Sequence, residues 1–260
     1  LKHELEVAIA AARAAGAAIV EVWQRPDFSS TEKADDKGPL TEADLASNDI
    51  ILAAIGAAFP DDAILSEETK DSPERLSNRR CWVIDPLDGT KEFTLRIPQF
   101  VVSIGLSVDG QPALGVLFNP ATGELFTGVV GEGATYNGAP CKVTDRATLD
   151  GARLLVSATE TKKGWFDHLK GVCVTEPMGS VAYKFGLVAA GLADATFTPM
   201  PRNEWDLLGG VACVIAAGGR AANGANEPYT FNRPDPLHIG VAGTNGALHD
   251  AVFGLMKSRG

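Results

Sequence analysis

Only four cysteines occur in 260 residues. Cys81, Cys141, Cys173 and Cys213 lie too far apart for a compact disulfide framework. They contain no Cys-x-x-Cys pair, so they read as reduced thiols and not as a zinc site. Positive charge is also scarce, with 23 Lys and Arg against 33 Asp and Glu and a formal net charge of −10. Such a chain repels a nucleic-acid backbone, and we expect no nucleic-acid polymer as a partner. A small phosphorylated ligand is still compatible, because a bound cation reverses the local field. The Ala-rich start, Leu1 to Gln24, is interrupted by Glu4, Glu6, Arg13 and Glu21. It lacks both the length of a membrane span and the basic-then-apolar order of a signal peptide. The expectation is a cytoplasmic protein with no membrane partner. No repeat at solenoid spacing is visible.

What is present has the mix of a globular protein, 45% hydrophobic and 22% charged. Leu5, Ile9, Ala12, Ala15, Ile19 and Trp23 recur at steps of three and four and predict a first helix. A second starts near Thr41 as cap and runs to about Phe59, with Leu45, Ile51, Leu52 and Ile55 as its apolar face. Short apolar runs at Ala63 to Leu65 and Cys81 to Ile84 predict strands. Val101 to Val108, Ala113 to Phe118 and Leu125 to Val130, separated by turn residues, predict an antiparallel meander. Beyond about residue 150 the pattern alternates. Strands are expected at Arg153 to Ser157, Gly171 to Val174, Ala193 to Phe197 and His238 to Val241. Helices are expected at Ser180 to Ala190, Leu207 to Ala217 and Ala247 to Met256. The reading is α+β in two lobes: residues 1–150 with the antiparallel sheet and most of the acidic groups, and residues 151–260 with Asp206 and further ligand contacts.

Carboxylates recur at the ends of the apolar elements: Glu67-Glu68 after Ser66, Asp85 and Asp88 in Asp85-Pro86-Leu87-Asp88-Gly89-Thr90, and Asp206 after Trp205. Strands ending on acids make sense if the acids converge on one cleft. Without a cation that convergence is costly, because two like charges about 4 Å apart repel by about 4 kcal/mol at an effective dielectric near 20. Oxygen ligands with no His or Cys beside them suit Mg²⁺. Pro86 stiffens its turn so that Asp85 and Asp88 can face one site. Gly89 lets the backbone approach a ligand closely, and the N–H groups of Gly89 and Thr90 can meet a phosphate where a helix begins. Each block has a plain structural alternative: a β-turn at 85–90, an N-cap at Asp206, first-turn charge at Asp44 and a solvated loop at Glu67-Glu68. Their weight comes from occurring together.

Lys33-Ala34-Asp35-Asp36-Lys37-Gly38-Pro39-Leu40-Thr41-Glu42-Ala43-Asp44, Ser66-Glu67-Glu68, Asp85 to Thr90 and Trp205-Asp206 resemble, in order and spacing, the blocks of the inositol monophosphatase superfamily. The resemblance implies a layered αβαβα sandwich and Mg²⁺-dependent hydrolysis of a small phosphate monoester, commonly inhibited by lithium. It assigns Glu67, Asp85, Asp88, Asp206 and the Leu87 carbonyl to two or three Mg²⁺ ions. It gives Thr90 with Asp44 the positioning of the attacking water, and Gly89 and Thr90 the phosphate. Asp206 would also touch substrate, and family members often form homodimers. Gly38 departs from the family, which usually has Ser before this Pro.

Two further blocks bear on the substrate. Gly89-Thr90-Lys91-Glu92-Phe93 resembles the 3′(2′),5′-bisphosphate nucleotidase branch (CysQ-type), where inositol monophosphatases more usually carry Thr-Asn-Phe. Gly179-Ser180-Val181-Ala182-Tyr183-Lys184-Phe185 resembles that branch's Gly-Ser block. By this resemblance Gly179 and Ser180 contact phosphate and Lys184 neutralises a second one; otherwise Lys184 is a solvated helix residue. The expected reaction is conversion of 3′-phosphoadenosine 5′-phosphate to AMP and phosphate, with inositol monophosphate hydrolysis as the alternative. Trp165, Phe166 and Tyr183 are the aromatic candidates for stacking on a base, with core packing as the competing role. A haloacid-dehalogenase-type phosphatase needs its two Asp residues two apart, whereas Asp85 and Asp88 are three apart. A non-catalytic binding module would have lost Thr90 or Asp44, and both are present.

Overall fold

The computed structural model describes residues 1–32 and 38–257. The 33–37 part of the first acidic block lies outside the described residues. Ala8, Ala11, Ala12, Ala15 and Ile19 form the buried stripe of α1 (Lys2–Gln24). A short ribbon of β1 (Ser30–Glu32) and β2 (Pro39–Thr41) leads into α2 (Glu42–Ala58), which packs on α1. Thr41 caps α2 as expected. Its hydroxyl accepts the Ala43 N–H at 3.2 Å, and Asp44 Oδ2 accepts the Thr41 N–H at 2.8 Å, the reciprocal pairing of a capping box. The buried face of α2 differs from the apolar one read from sequence. Ile51 and Ile55 are on it, but it continues through Asp44, Ser47 and Asn48, and Leu45 is 47% exposed. One residue turns the helix by about 100°, so placing Asp44 inward puts Leu45 outward.

Seven strands then form one sheet in sequence order: β3 (Ala63–Ser66), β4 (Arg80–Asp88), β5 (Val101–Val108), β6 (Gln111–Asn119), β7 (Glu124–Val129), β8 (Gly133–Tyr136) and β9 (Ala139–Cys141). A single helical turn, α3 (Thr90–Thr94), links β4 to β5. The meander is antiparallel from β4 onward, whereas β3 runs parallel to β4. β8 and β9 bury little apolar surface and so leave a weak sequence pattern. Their turn is Asn137-Gly138, both at positive φ, the pair favoured in two-residue hairpins.

The rest of the chain builds a five-stranded sheet of order β11-β10-β12-β16-β14 from β10 (Arg153–Ser157), β11 (Val174–Met178), β12 (Ala195–Thr198), β14 (Arg220–Asn223) and β16 (Val241–Thr244). The strand expected at Gly171 to Val174 begins at Val174 instead. β13 (Arg202–Asn203) and β15 (Leu237–His238) pair separately. The helices of this half are α4 (Ala158–Lys162), α5 (Val181–Ala189), α6 (Glu204–Ala216) and α7 (His249–Lys257).

Three apolar clusters define the layers. α1 and α2 cover one face of the large sheet through Ile51, Ile55, Trp82, Ile84 and Val102. α5 and α6 fill the space between the sheets, with Val83 and Phe126 on one side and Leu155 and Val241 on the other. α7 closes the outer face through Val252 and Phe253. The order is the expected αβαβα sandwich. No helix among the described residues is long and apolar enough to cross a membrane.

The middle layer sits very close to the large sheet because glycines face α6. A Cβ on Gly115 would lie 2.0 Å from the Gly209 carbonyl oxygen, a backbone clash that no rotamer change relieves. Gly115→Ala should therefore cost roughly 3 kcal/mol of stability and lower Tm by about 10 °C, as scanning calorimetry would show.

Candidate active site

Two local devices aim the acids at one point. The first is the parallel pairing of β3 and β4. Ser66 is in register with Ile84, and the Glu67 N–H donates to the Ile84 carbonyl at 3.2 Å. Glu67 therefore leaves β3 at the same sheet end, beside Asp85. The second is a β-bulge. Against β5, Asp85 pairs with Ser103 and Asp88 with Val101, three steps on one strand for two on the other. Alternation alone would send residues three apart to opposite faces, and the extra residue corrects the phase. Pro86 sits in the bulge, where it has no N–H to leave unpaired. The Leu87 N–H donates to Asp85 Oδ1 at 2.9 Å, and Ser47 Oγ donates to the Pro86 carbonyl at 2.7 Å.

Asp206 arrives from across the molecule. α6 begins three residues earlier than expected, at Glu204, with Asn203 as N-cap. Asp206 is thus the third helical residue and not the cap itself; its Oδ2 accepts the Asn203 N–H at 2.9 Å. Asp44 holds the equivalent position in α2. In both helices one carboxylate oxygen fixes the helix start, which holds the side chain rigid at the cleft.

The result is a cluster in which ligand atoms of Asp85, Asp88 and Asp206 all lie within 4.8 Å of one another. Asp85 and Asp88 are buried and Asp206 is half-buried. Burial, then the neighbouring charges of Glu67, Asp88 and Asp206, pushes Asp85 well above the usual carboxylate range. Asp206 is pushed up to about 8, again by burial first and then by Asp88 and Glu67. Asp88 is also raised by burial, opposed by hydrogen bonds from Ser180 and Ala182. Three crowded, desolvated carboxylates with no His or Cys among them fit a hard divalent cation such as Mg²⁺, and the cluster can hold one.

Thr90 links this cluster to Asp44. Its Oγ1 lies 2.9 Å from Asp44 Oδ1 and 3.0 Å from the Leu87 carbonyl. Gly89, the N-cap of α3, has φ +103, and a Cβ there would meet the Gln99 carbonyl at 2.6 Å. Two constraints thus require glycine at the start of the turn that carries Thr90. Gly38 has φ +93, a left-handed conformation that explains glycine where the family usually has Ser.

The contacts predicted at Gly179, Ser180 and Lys184 have other partners in the structure. Ser180 Oγ donates to Asp88 Oδ2 at 2.6 Å, joined by the Ala182 N–H at 2.6 Å, so that hydroxyl is engaged with the acid cluster. Lys184 is 5% exposed, which excludes a solvated helix residue. Its ammonium points at the carbonyls of Ser180 (2.7 Å), Gly179 (3.1 Å) and Met178 (3.4 Å). Burial lowers it to about 8, partly offset by Asp88. It clamps a turn in which Ser180 has positive φ. Gly179 leaves room for Glu92, whose Cδ would lie 2.1 Å from a Cβ at that position. The Lys-Glu-Phe and Gly-Ser blocks therefore pack against each other. Of the aromatic candidates, Phe166 and Tyr183 are core residues, and Tyr183 also donates to Glu124 at 2.5 Å; Trp165 packs at the core edge.

Sequence reasoning missed the supports of the site. Asn48 accepts from Ser66 Oγ at 2.7 Å and donates to Thr69 Oγ1 at 3.2 Å, fixing the Glu67-Glu68 turn. The available signal was polar residues at 44, 47 and 48 in line with Ile51 and Ile55. A cavity of about 730 Å³ near Pro199, Leu237, His238 and Ile239 contains none of the predicted site residues.

The inositol monophosphatase family profile matches residues 1–258. Inositol monophosphatase 3 of Solanum lycopersicum is 35% identical, over 96% of this chain and 94% of the relative. Inositol-1-monophosphatase of Synechocystis is 34% identical, over 97% and 88%. Among solved structures, the Thermotoga maritima IMPase superposes with a TM-score of 0.87 at 26% identity, over 99% of this chain and 98% of that one.

Proposed function

Because the chain belongs to the inositol monophosphatase family, a family of metal-dependent phosphatases, we propose that it hydrolyses 3′-phosphoadenosine 5′-phosphate to AMP and phosphate at this cluster. The observation that carries the reading is the meeting of Asp85, Asp88 and Asp206 within 4.8 Å, tied through Leu87 to the Thr90–Asp44 hydrogen bond. In this reading Glu67, Asp85, Asp88, Asp206 and the Leu87 carbonyl would hold two or three Mg²⁺ ions. When bound, Mg²⁺ supplies a Lewis acid that lowers the pKa of water and offsets the charge of the phosphate. Thr90 orients the attacking water by accepting its proton while donating its own to Asp44 Oδ1. The N–H groups of Gly89 and Thr90, in the first turn of α3, address the phosphate oxygens. Water attacks phosphorus and passes one proton through Thr90 Oγ1 to Asp44, the bond to the ribose oxygen breaks, and that oxygen takes a proton from solvent.

Residues 1–150 and 151–260 act as two lobes around one cleft, the first with Asp44, Glu67 and the 85–90 turn, the second with Asp206 and the 179–184 turn. A homodimer and a cytoplasmic location belong to the same proposal, the latter supported by widely spaced thiols without a Cys-x-x-Cys pair.

The two blocks that favour a nucleotide, Lys91-Glu92-Phe93 and Gly179 to Phe185, pack on each other beside Asp88, where they can shape one subsite. The names of the tomato and cyanobacterial relatives favour a second reading, an inositol monophosphate. Measuring kcat/KM with Mg²⁺ on both esters separates them. We expect at least tenfold preference for the bisphosphate, and a tenfold preference for the inositol ester would overturn the choice.

A further inference from the structure

We infer that Arg202 reads a second anionic group on the substrate, the part that Lys184 would otherwise have been expected to play. This rests on the phosphatase reading above and specifies its substrate class: a phosphate monoester that carries another phosphate-like anion. The backbone of Arg202 is fixed from both sides. It pairs with His238 across the β13–β15 ribbon and directly precedes Asn203, the N-cap of the helix that carries Asp206. The side chain is 24% exposed. Nη1 donates to the Pro201 carbonyl at 2.8 Å, and Nη2 donates at 3.3 Å to Glu160 Oε1.

Glu160 is itself buried and is held by the Thr198 hydroxyl at 2.8 and 2.9 Å. It anchors Arg202 through one long contact and not a bidentate pair, and a guanidinium has five N–H donors to offer. Nε and one hydrogen on each Nη are left for a ligand. The anchor also aims the group. Asn203, the next residue, gives its N–H to Asp206 Oδ2 at 2.9 Å, so Arg202 leaves the backbone one residue from a group bonded to the acid cluster without belonging to that cluster. Lys91, the residue after Thr90, approaches Thr159 Oγ1 at 3.4 Å. Two cations from different segments thus meet consecutive residues of α4 at the rim of an otherwise acidic cleft. Once a cation neutralises the acids, this rim attracts an anion, and planar guanidinium geometry suits phosphate oxygens.

Adenosine 3′,5′-bisphosphate and adenosine 3′-monophosphate share the attacked ester and leaving group and differ only in the second phosphate. The readout is the ratio of their kcat/KM values in wild type, Arg202→Gln and Arg202→Lys. Arg202→Gln should lower both rates through its lost charge, but cut the bisphosphate-to-monophosphate ratio at least tenfold, mainly through KM; Arg202→Lys should restore most of it. A ratio unchanged within twofold in Arg202→Gln would overturn the assignment while leaving the hydrolase reading intact. A wild-type protein that turns over neither ester with Mg²⁺ would overturn both.

Discussion

Asp88→Asn should lower kcat by about 10³-fold, roughly 4 kcal/mol of transition-state stabilisation, while the protein still folds. Asp88 is the member of the cluster whose carboxylate meets both halves of the chain. One oxygen accepts Ser180 Oγ and the Ala182 N–H, each at 2.6 Å, and its ligand atoms face Asp85 and Asp206. Asn keeps the volume and one oxygen to receive the Ser180 and Ala182 donors, so the start of α5 stays anchored. It removes the charge needed to retain a divalent cation. Far-UV circular dichroism should match wild type, and wild-type kcat in this variant would contradict the assignment of Asp88.

Divalent metal should stabilise the protein most at alkaline pH. The folded-state pKa values of Asp85 and Asp206 lie above those of the unfolded chain, Asp206 at about 8. For groups raised in this way, folding stability is fully present below the unfolded pKa, near 4. It is lost as pH rises through the folded value, because the folded state must then ionise crowded, buried carboxylates. In EDTA the loss should amount to several kcal/mol between about pH 4 and pH 8. With Mg²⁺ it should be largely abolished, because the cation offsets the repulsion and stabilises the state it binds. Glu204, pushed up to about 7 by burial, titrates in the same direction. His238, lowered to about 4 by burial and then by Arg233, loses stability as pH falls from about 6.5 towards 4. Both contribute with or without metal, so the difference between the two curves isolates the cluster. A Tm gain from Mg²⁺ that is small at pH 5 and on the order of 10 °C at pH 8 is the expected result. A gain that is flat across that range would contradict it.

Much of the site was legible because its chemistry is packed into short stretches. Asp85 to Thr90 carries two clustered acids, the turn and the backbone proposed to face phosphate in six consecutive residues, and Glu67 and Asp206 fall at the ends of apolar runs. That sheets and helices alternate was legible from the apolar runs and turn residues, whereas the αβαβα order of the layers came from the family resemblance. What was not legible depends on pairing between distant segments. The bulge that turns Asp85 and Asp88 to one side exists only against Ser103 and Val101 of β5. Lys184 was misread because composition cannot reveal that a turn at Ser180, with positive φ, presents three carbonyls to a buried ammonium. Leu45 was misread because polar contacts of Asp44, Ser47 and Asn48 took the inner face of α2. Arg202 gave no signal of its own, since its partner Glu160 lies 42 residues away.

The central claim is that Asp85, Asp88 and Asp206 together bind a divalent cation. Calorimetric titration of Mg²⁺ into wild type and into Asp88→Asn at pH 8 tests it directly. Saturable binding to wild type, weakened at least a hundredfold in Asp88→Asn, is the predicted result; equal affinity in the two proteins, or no binding to either, would contradict it.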